Sequence, residues 1–435
     1  MGQTWTNWAR NQSVPAVDIR HPRGTTEIAT AIRQARESDQ RVKVLGAGHS
    51  FTGIARPENL ALVLDRHANV VALDSASGLV TVSAGMPLHR LNRILADAGL
   101  GLSNLGDIDR QTVAGALATG THGTGARFGG LATQVRGLQL VLADGQILDC
   151  SADSEPDVFS AARIGLGALG VVSTVTLQAE PAFALRAQER ARPLEATLER
   201  FDEFADNTDH FEFYWFPHTA WALTKSNTRV PMDAGLDPQP RWRKWVNDEF
   251  LANGVFAATV AAGGRVRAAI RPLNRISARA LGSRTFTDES YKVFTSPRRV
   301  RFVEMEYAVP RAAVVDLVRE VRRTIDAAGW RIPFPIEVRV AAADDIPLST
   351  ASGRDSGYVA VHMPPGADYE PYFHAVEQIA AGLDGRPHWG KLHYLDADAL
   401  SGRYPRFTDF LALRKRLDPN GVFGNSYLDR VLGPP

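Results

Sequence analysis

Residues 113–125 have the sequence Val-Ala-Gly-Ala-Leu-Ala-Thr-Gly-Thr-His-Gly-Thr-Gly, the longest run of small residues among the glycine-rich segments of this chain. Its four glycines are interspersed with alanine and threonine, and its only large side chains are Leu117 and His122. Small residues allow another backbone or a ligand to approach closely along the whole segment. The segment therefore predicts either a tightly packed turn or a loop that lies along a large planar or phosphorylated cofactor.

Two more glycine-rich loops, Val44–Phe51 and Gly165–Val172, occur within the first 180 residues. In the first, a short strand runs into a Gly-Ala-Gly turn whose backbone N–H groups could hold a phosphate. A dinucleotide-binding Rossmann turn would need a third glycine where Phe51 stands and then a helix, which Pro57 argues against. Three such loops indicate one extended ligand. A plain strand-ending turn is the alternative, but it does not explain His49 directly behind the glycines.

Length, charge and cysteine content exclude several classes of protein. The chain has 435 residues, a net charge of +1 and one cysteine, Cys150. This length suits two or three domains with a sizeable core. So small a charge excludes nucleic acid or an anionic membrane as a dominant electrostatic partner, and one cysteine excludes a disulfide framework or a cysteine-based metal cluster. No membrane-spanning apolar run or secretory signal is evident, so we expect a cytoplasmic protein with no transmembrane segment, nucleic-acid partner or metal.

The first 180 residues predict a mixed α+β region. Thr25 and Thr26 are placed to cap a helix that begins an amphipathic pattern. Val135–Leu142 and Gln146–Cys150 predict a β-hairpin, because the Asp-Gly pair between them suits a tight primed turn.

The pattern changes after residue 179. Apolar and polar residues alternate over 211–215, as on a strand. Further strand signals at 302–309, 334–340 and 358–362 are separated by helical patterns over 314–325 and 372–383. This order predicts an antiparallel sheet covered on one face by helices.

Residues 218–298 match no regular pattern. We expect helices and a loop there. Their arginines, Arg265, Arg267, Arg271, Arg275 and Arg279 among them, are interpreted as the solvated face of helices, with an oligomer or membrane contact as the alternative.

Two short segments of the second half carry charge. In Phe334-Pro-Ile-Glu-Val-Arg-Val340 the strand period puts Glu337 and Arg339 on one face, about 6.6 Å apart, where both could meet one small polar substrate. A surface ion pair is the alternative. His388-Trp-Gly-Lys391 places a histidine and a lysine around a glycine, and a structural turn is its alternative.

Taken in order, these five segments resemble those of sugar-lactone and alditol oxidoreductases of the vanillyl-alcohol oxidase flavoprotein superfamily. The resemblance is greatest to the bacterial L-gulono-1,4-lactone oxidase and dehydrogenase group, and it is weakest over residues 218–298. It implies an α+β, two-domain PCMH-type FAD-binding fold with an antiparallel-sheet cap domain for the substrate. Residues 1–180 would form the FAD-binding domain and 181–384 the cap, and residues 385–435 would return to the FAD domain.

The resemblance also implies a covalent cofactor and a catalytic set. FAD would be attached through the imidazole of His49 to the flavin 8α-methyl group. Lys391 and Arg339 would polarise the substrate oxygen and stabilise negative charge as hydride passes to flavin N5, and Glu337 would hold substrate hydroxyls and orient Arg339. The residues expected to bind the cofactor are Gly46, Ala47, Gly48, His49, Ser50, Thr112, Gly115, Ala116, Thr119, His122, Gly123, Gly170, Val172 and His388.

The expected substrate is a small sugar lactone or polyol, with oxygen or another redox acceptor taking the electrons. Alditol oxidases have a serine and a threonine where this chain has Ala116 and, approximately, Pro364. The loss of two hydroxyl partners disfavours an open-chain polyol. We therefore favour L-gulono-1,4-lactone or a related aldonolactone. The alternatives are an alditol oxidase and, more distantly, a non-catalytic flavin- or nucleotide-binding protein.

Overall fold

The computed structural model describes residues 3–240, 270, 274, 283–296 and 300–434. Its first part contains strands β1 (Gln3–Thr6), β2 (Ser13–Arg20), β3 (Val42–Leu45), β4 (Leu60–Val63), β5 (Val70–Asp74), β6 (Leu79–Ser83), β7 (Leu100–Gly101), β8 (Val135–Val141), β9 (Ile147–Ser151), β10 (Val171–Gln178) and β11 (Glu180–Pro181). One sheet has the order β1-β2-β4-β3, a second has the order β5-β6-β10-β8-β9, and β7 pairs with β11. The predicted hairpin is confirmed, because β8 and β9 pair antiparallel.

Four helices lie between these strands: α1 (Thr25–Glu37), α2 (Leu88–Asp97), α3 (Val113–Ala118) and α4 (Pro156–Ala162). Helix α1 turns its apolar face inward as predicted. The capping role predicted for Thr25 and Thr26 is wrong, because Gly24 stands at the N-cap and the Thr25 hydroxyl lies 2.6 Å from Ser173 Oγ.

The segment 113–125 begins as a helix. Thr112 caps α3, since its Oγ1 accepts the N–H of Gly115 at 3.2 Å. The alanines and Leu117 favour a helix strongly enough to outweigh the one glycine inside it. The predicted loop is therefore confined to residues 119–125.

The second part is an eight-stranded sheet in which every pair is antiparallel, as predicted. Its strands are β12 (Phe183–Pro193), β13 (His210–Trp215), β14 (Trp221–Pro231), β15 (Arg284–Glu289), β16 (Val303–Pro310), β17 (Ile336–Ala341), β18 (Ser356–Met363) and β19 (Arg386–Pro387). The strand order is β15-β12-β14-β13-β17-β18-β16-β19.

The expectation of helices and a loop over 218–298 is confirmed for the helix Ser290–Phe294 but misses two strands. Strands β14 and β15 both lie in this range and both pair with β12. Contacts with side chains on neighbouring strands stabilise β14 and β15 more than their weak local sequence patterns indicate. The arginines from Arg265 to Arg279 lie outside the described residues.

Helices cover one face of this sheet. The helices whose bounds fall within the described ranges of this part include α5 (Leu194–Glu199), α6 (Phe201–Asn207), α7 (Ser290–Phe294), α8 (Val314–Ala328) and α9 (Glu370–Ala381). Leu317 of α8 and Phe373 of α9 share one buried cluster with Met305, Val338 and Val359 of the sheet. Each fully buried side chain of this kind stabilises the fold by about 1.5–3 kcal/mol, so the helix-covered face is the core of this part.

The C-terminal residues pack on the other part of the molecule. They form α10 (Ala397–Ser401), α11 (Phe407–Leu417) and α12 (Ser426–Leu432). Leu400, Phe410 and Leu428 share a buried cluster with Val80 and Leu95. No helix in the described ranges has the length and apolar character that crossing a membrane requires.

Candidate active site

The face of the eight-stranded sheet opposite the helices is buried but polar. Successive side chains of a strand point to opposite faces, so strands whose apolar residues meet the helices present their other residues here. Five charged side chains lie in one row across five neighbouring strands, and positive and negative charges alternate along it: Arg284, Glu189, Lys225, Glu212 and Arg339. Opposite charges on neighbouring strands attract one another, and buried charges are tolerated when they are paired. This face is therefore built to carry charge.

Arg339 lies at the centre of a carboxylate cluster. Its guanidinium contacts Glu337 at 2.5 Å and Glu212 at 2.8 Å and also pairs with Asp107. Tyr214 donates a hydrogen bond to Glu337 at 2.8 Å. Burial alone would lower the pKa of Arg339, but the carboxylates hold this pKa well above its ordinary value. Glu337 is only 7% and Arg339 only 8% exposed, so the alternative of a surface ion pair is wrong.

Lys391 forms a second charged cluster with Glu304, which His362 approaches at 3.5 Å. Burial would raise the pKa of Glu304, but the charges of Lys391 and His362 lower this pKa to about 2. The Lys391 side chain is 21% exposed and that of Glu304 only 7%. Lys391 is therefore the member of this pair that a ligand can reach.

His122 joins the glycine-rich segment to the polar sheet face. Its Nε2 lies 3.2 Å from Glu306, and its ring centroid lies 3.9 Å from that of Tyr358. Glu306 and Glu337 both stand opposite Ala360 in one cross-strand row. Two strand spacings amount to about 10 Å, so the Arg339 pair and the His122 pair lie about this far apart on the polar face.

The loop at residues 46–50 has free hydrogen-bond donors. Among the described residues, the backbone N–H groups of 47–50 donate to no acceptor. Gly46 and Ala47 are exposed. Gly48 has φ +71°, a left-handed conformation that glycine adopts without strain and that turns neighbouring N–H groups towards one side. These donors fit a phosphate, as a nucleotide cofactor requires.

The other predicted loops adjoin this one. A Cβ on Gly46 would lie 3.7 Å from Gly115 Cα, so the loop touches α3. Phe51 N–H donates to Gly390 O at 2.7 Å, which joins the loop to the turn that bears Lys391. The third glycine-rich turn donates a backbone hydrogen bond to the last residue of α3 at 3.1 Å. The glycine-rich loops and the turn that bears Lys391 are far apart in sequence but lie next to one another in the structure.

His49 belongs to this loop, and its ring is close enough to Lys391 to sense the charge of the ammonium. Burial first, and then the charge of Lys391, lower the pKa of His49 to about 4. The imidazole is therefore neutral at physiological pH and keeps a nucleophilic lone pair.

The remaining predicted cofactor residues differ in their placement. Thr119 donates to Gly115 O at 3.4 Å and so supports α3. A Cβ on Gly123 would lie 2.3 Å from Leu105 O, so only glycine fits there. His388 is buried, and its Nδ1 accepts the N–H of Gly390 at 3.1 Å.

Three predicted residues are not brought to the charged clusters. Ala116 is fully buried in the core of the first part. Gly170 and Val172 lie at the start of β10, beside β8. Their contact with the cofactor stays a prediction.

Sequence reasoning missed most partners of the catalytic candidates. These are Asp107, Glu212, Tyr214, Lys225, Glu304, Glu306 and His362. Strand alternation alone could have assigned Glu212 and Tyr214 to one face, and Glu304 and Glu306 likewise. It could not have shown which strands are neighbours.

In the part of the chain that the structure describes, two groups of side chains place their ligand atoms within 4.8 Å of one another, as at a metal site. One consists of Asp107, Glu212 and Glu337, and there Arg339 already supplies the positive charge. The other consists of His122, Glu306 and His388. We assign no metal to either group.

Comparisons with known proteins agree with this geometry. Residues 19–151 match the FAD binding domain family, and residues 175–431 match the D-arabinono-1,4-lactone oxidase family. Cholesterol oxidase from Brevibacterium sterolicum has the same fold, with a TM-score of 0.84 at 19% identity over 99% of this chain and 97% of that one. The fold and the family matches define an FAD-dependent oxidoreductase with a PCMH-type FAD-binding fold.

Full-length relatives narrow this class. The chain is 45% identical over 441 residues to L-gulono-1,4-lactone dehydrogenase of Mycobacterium tuberculosis, which covers 100% of both chains. It is 31% identical over 446 residues to alditol oxidase of a Streptomyces species, which covers 99% of this chain and 100% of that one. The chain belongs to the D-arabinono-1,4-lactone oxidase family. The predicted fold class and the family resemblance are confirmed.

Proposed function

We propose that this enzyme oxidises a carbinol group of an aldonolactone, L-gulono-1,4-lactone or a close relative. The observation that carries the proposal is the buried, charged sheet face that bears Arg339, pairs with Lys391 through Glu304 and adjoins a loop with free phosphate donors. FAD, when bound, accepts the hydride from the carbinol carbon. Oxygen or another redox acceptor then takes the electrons.

The two cations have different roles in this proposal. Lys391 is the exposed member of its ion pair, so its ammonium can polarise the substrate oxygen. Arg339 is held by Glu337, Glu212 and Asp107, so its charge stays fixed while negative charge develops nearby. Fixed charges of this kind need no reorganisation during the reaction. Glu337 orients Arg339 and would hold substrate hydroxyls.

The cofactor would be held by the predicted glycine loops and attached covalently to His49. The free N–H groups of residues 47–50 support contact with the cofactor diphosphate. The lowered pKa of His49 supports the linkage, because only the neutral imidazole can attack a carbon atom.

The preference for a lactone rests on two observations. Pro364 directly follows β18, two residues beyond His362, and offers no hydroxyl to a polyol. The relative named a lactone dehydrogenase is also more similar to this chain than the relative named an alditol oxidase. Ala116 gives little further support to this preference, because its side chain is buried inside α3.

Two broader assignments accompany the proposal. The division of the strands into separate sheets supports an FAD domain of residues 1–180 and a cap of 181–384, and the packing of α10–α12 supports a return of residues 385–435 to the FAD domain. A single buried cysteine, Cys150, is typical of a cytoplasmic protein. We expect no nucleic-acid partner, since the net charge is +1.

Anaerobic flavin reduction tests the function. The purified protein is mixed with L-gulono-1,4-lactone, other aldonolactones, xylitol or sorbitol, and loss of the visible flavin absorbance is followed. We expect the preferred lactone to exceed the polyols by about 10-fold or more in kcat/KM, because an unpaired hydrogen-bonding group costs about 1–3 kcal/mol. Faster reduction by the polyols would favour an alditol oxidase. No reduction by any of these compounds would refute the proposal.

A further inference from the structure

Residues 7–12, which connect β1 to β2, contact the His49 loop from one side. They lie outside both matched family ranges. Their N–H groups donate to three carbonyl oxygens of the loop: Trp8 N to Gly48 at 2.8 Å, Asn7 Nδ2 to Ser50 at 3.0 Å, and Asn11 Nδ2 to Phe51 at 2.8 Å. The loop carbonyls are therefore held on this side, while the N–H groups of 47–50 stay free.

Asn7 organises this connection as well as contacting the loop. It is 4% exposed. Its Nδ2 also donates to Asn11 Oδ1 at 2.7 Å, and its Oδ1 accepts the N–H of Gln12 at 3.1 Å. One buried amide thus fixes both the turn and the loop, and replacing it would leave several groups without partners.

The Trp8 ring lies between His49 and the cap. Its centroid is 5.4 Å from that of His49, with the planes inclined at 32°, and 5.3 Å from that of Phe302, nearly edge-on. Phe302 in turn lies 5.0 Å from His362, which contacts the Glu304–Lys391 pair. The indole therefore restricts the imidazole on one side and rests on the substrate half of the site on the other.

We propose that Trp8 and Asn7 are positioning residues that fix the His49 imidazole and the free donors of its loop for FAD. This inference rests on the proposed function, because it takes the loop to be the FAD site. A reacting group misplaced by about 1 Å loses roughly 10²-fold in rate. Trp8 limits the tilt of the imidazole, and Asn7 limits movement of the backbone that carries it.

The position of the His49 imidazole matters because a covalent bond between one of its nitrogens and the flavin has to form there. The bond joins an imidazole nitrogen to the 8α carbon, and one C–H and one N–H are broken. Two protons and two electrons are released, and the electrons pass to the oxygen or other acceptor that the enzyme uses. The chain contributes the position and the neutral state of the nitrogen.

The rate of flavin attachment tests the proposal. Full-length protein purified without flavin is mixed with FAD in air, and flavin that survives SDS denaturation is measured over time by fluorescence. We expect Trp8→Leu and Asn7→Ala to slow attachment by roughly 10²-fold, and Trp8→Phe to restore most of the rate. Trp5→Leu is the matched control, because Trp5 belongs to the same hairpin but packs on a different cluster with Val17 and Leu45. It should attach flavin as the wild type does.

A second measurement separates this proposal from the linkage itself. The dissociation constant for FAD is measured in the His49→Ala background with and without Asn7→Ala or Trp8→Leu. Weakening of about 10-fold or more by these changes, but not by Trp5→Leu, supports positioning of the loop. If the wild type releases its flavin on denaturation, the covalent linkage is wrong and the dissociation constants alone decide. Attachment rates and dissociation constants equal to those of the control would overturn the positioning role.

Discussion

His49 combines a neutral imidazole with a place beside free phosphate donors, so its substitution should separate binding from attachment. We expect wild-type protein to retain flavin after SDS or acid denaturation and His49→Ala to release it. His21→Ala is the control, because His21 forms a surface pair with Asp65. In-gel flavin fluorescence distinguishes the three proteins. Flavin freed from the wild type by denaturation would contradict the linkage but not the fold.

Lys391 should act mainly on the chemical step. Removal of one preorganised charge costs roughly 10²–10³ in rate, so Lys391→Met should slow anaerobic flavin reduction by about that factor while flavin stays bound. Lys391→Arg should restore only part of the rate, because a planar fork cannot replace a compact ammonium beside Glu304. Stopped-flow reduction measures both variants. A wild-type rate in Lys391→Met would show that the active site lies elsewhere.

Glu337 and Glu189 provide a matched pair of buried carboxylates on the same sheet face. Glu337 contacts Arg339 near the centre of the sheet. Glu189 of β12 contacts Arg284 of the edge strand β15. We expect Glu337→Gln to lower kcat and raise KM, since it loses a charge partner of Arg339 and an acceptor for substrate hydroxyls. Glu189→Gln should affect stability and leave KM unchanged. Equal effects of the two changes on KM would assign Glu337 a structural role only.

The strands show where sequence reasoning is strong and where it stops. Alternation over 334–340 predicted that Glu337 and Arg339 share a face, and they do. The partners of Arg339 come from residue 107 and from β13, more than 120 positions away. Strand order and register bring them together, and neither is encoded in a local pattern. For the same reason, no local pattern identifies β14 and β15, which are stabilised by their long pairing with β12.

Strand β3 carries a buried amine that makes stability depend on pH. Lys43 is 4% exposed, and its Nζ donates to Phe423 O at 2.8 Å. Burial first, and then Arg414, lower the pKa of Lys43 to about 7. Between pH 7 and the ordinary lysine value near 10.5, the unfolded chain binds the proton that the folded chain has lost. This group therefore makes the protein more stable as pH rises through that window, by at most about 1.4 kcal/mol per pH unit.

Replacement of Lys43 by methionine should remove that dependence. We expect the melting temperature of the wild type to rise relative to that of Lys43→Met between pH 7 and 9. Lys292→Met is the control, because Lys292 is an exposed partner of Glu289 on the surface. Thermal unfolding at several pH values gives the comparison. A constant difference between the wild type and Lys43→Met would mean that Lys43 stays protonated in the folded protein.

The candidate site lies where the two parts of the molecule meet. His122 reaches Glu306 from one part to the other, and Gly125 N–H donates to Val340 O at 2.7 Å. The sequence predicted the contents of each part, because glycine loops and strand alternation are local. It did not predict that a buried charged face would be closed by the first part. Such a face is tolerable only where partners or a ligand satisfy its charges.

A cofactor that binds at this junction should stabilise both parts together. In His49→Ala, FAD is free to exchange, so its effect follows mass action and reaches about 2.7 kcal/mol at 100 times the dissociation constant. We expect the melting temperature of this variant to rise with FAD concentration, and to rise less with riboflavin, which has no diphosphate for the N–H groups of 47–50. If unfolding shows two transitions, FAD should raise both. A shift of one transition alone would place FAD against one part only, and no shift would remove the cofactor from this junction.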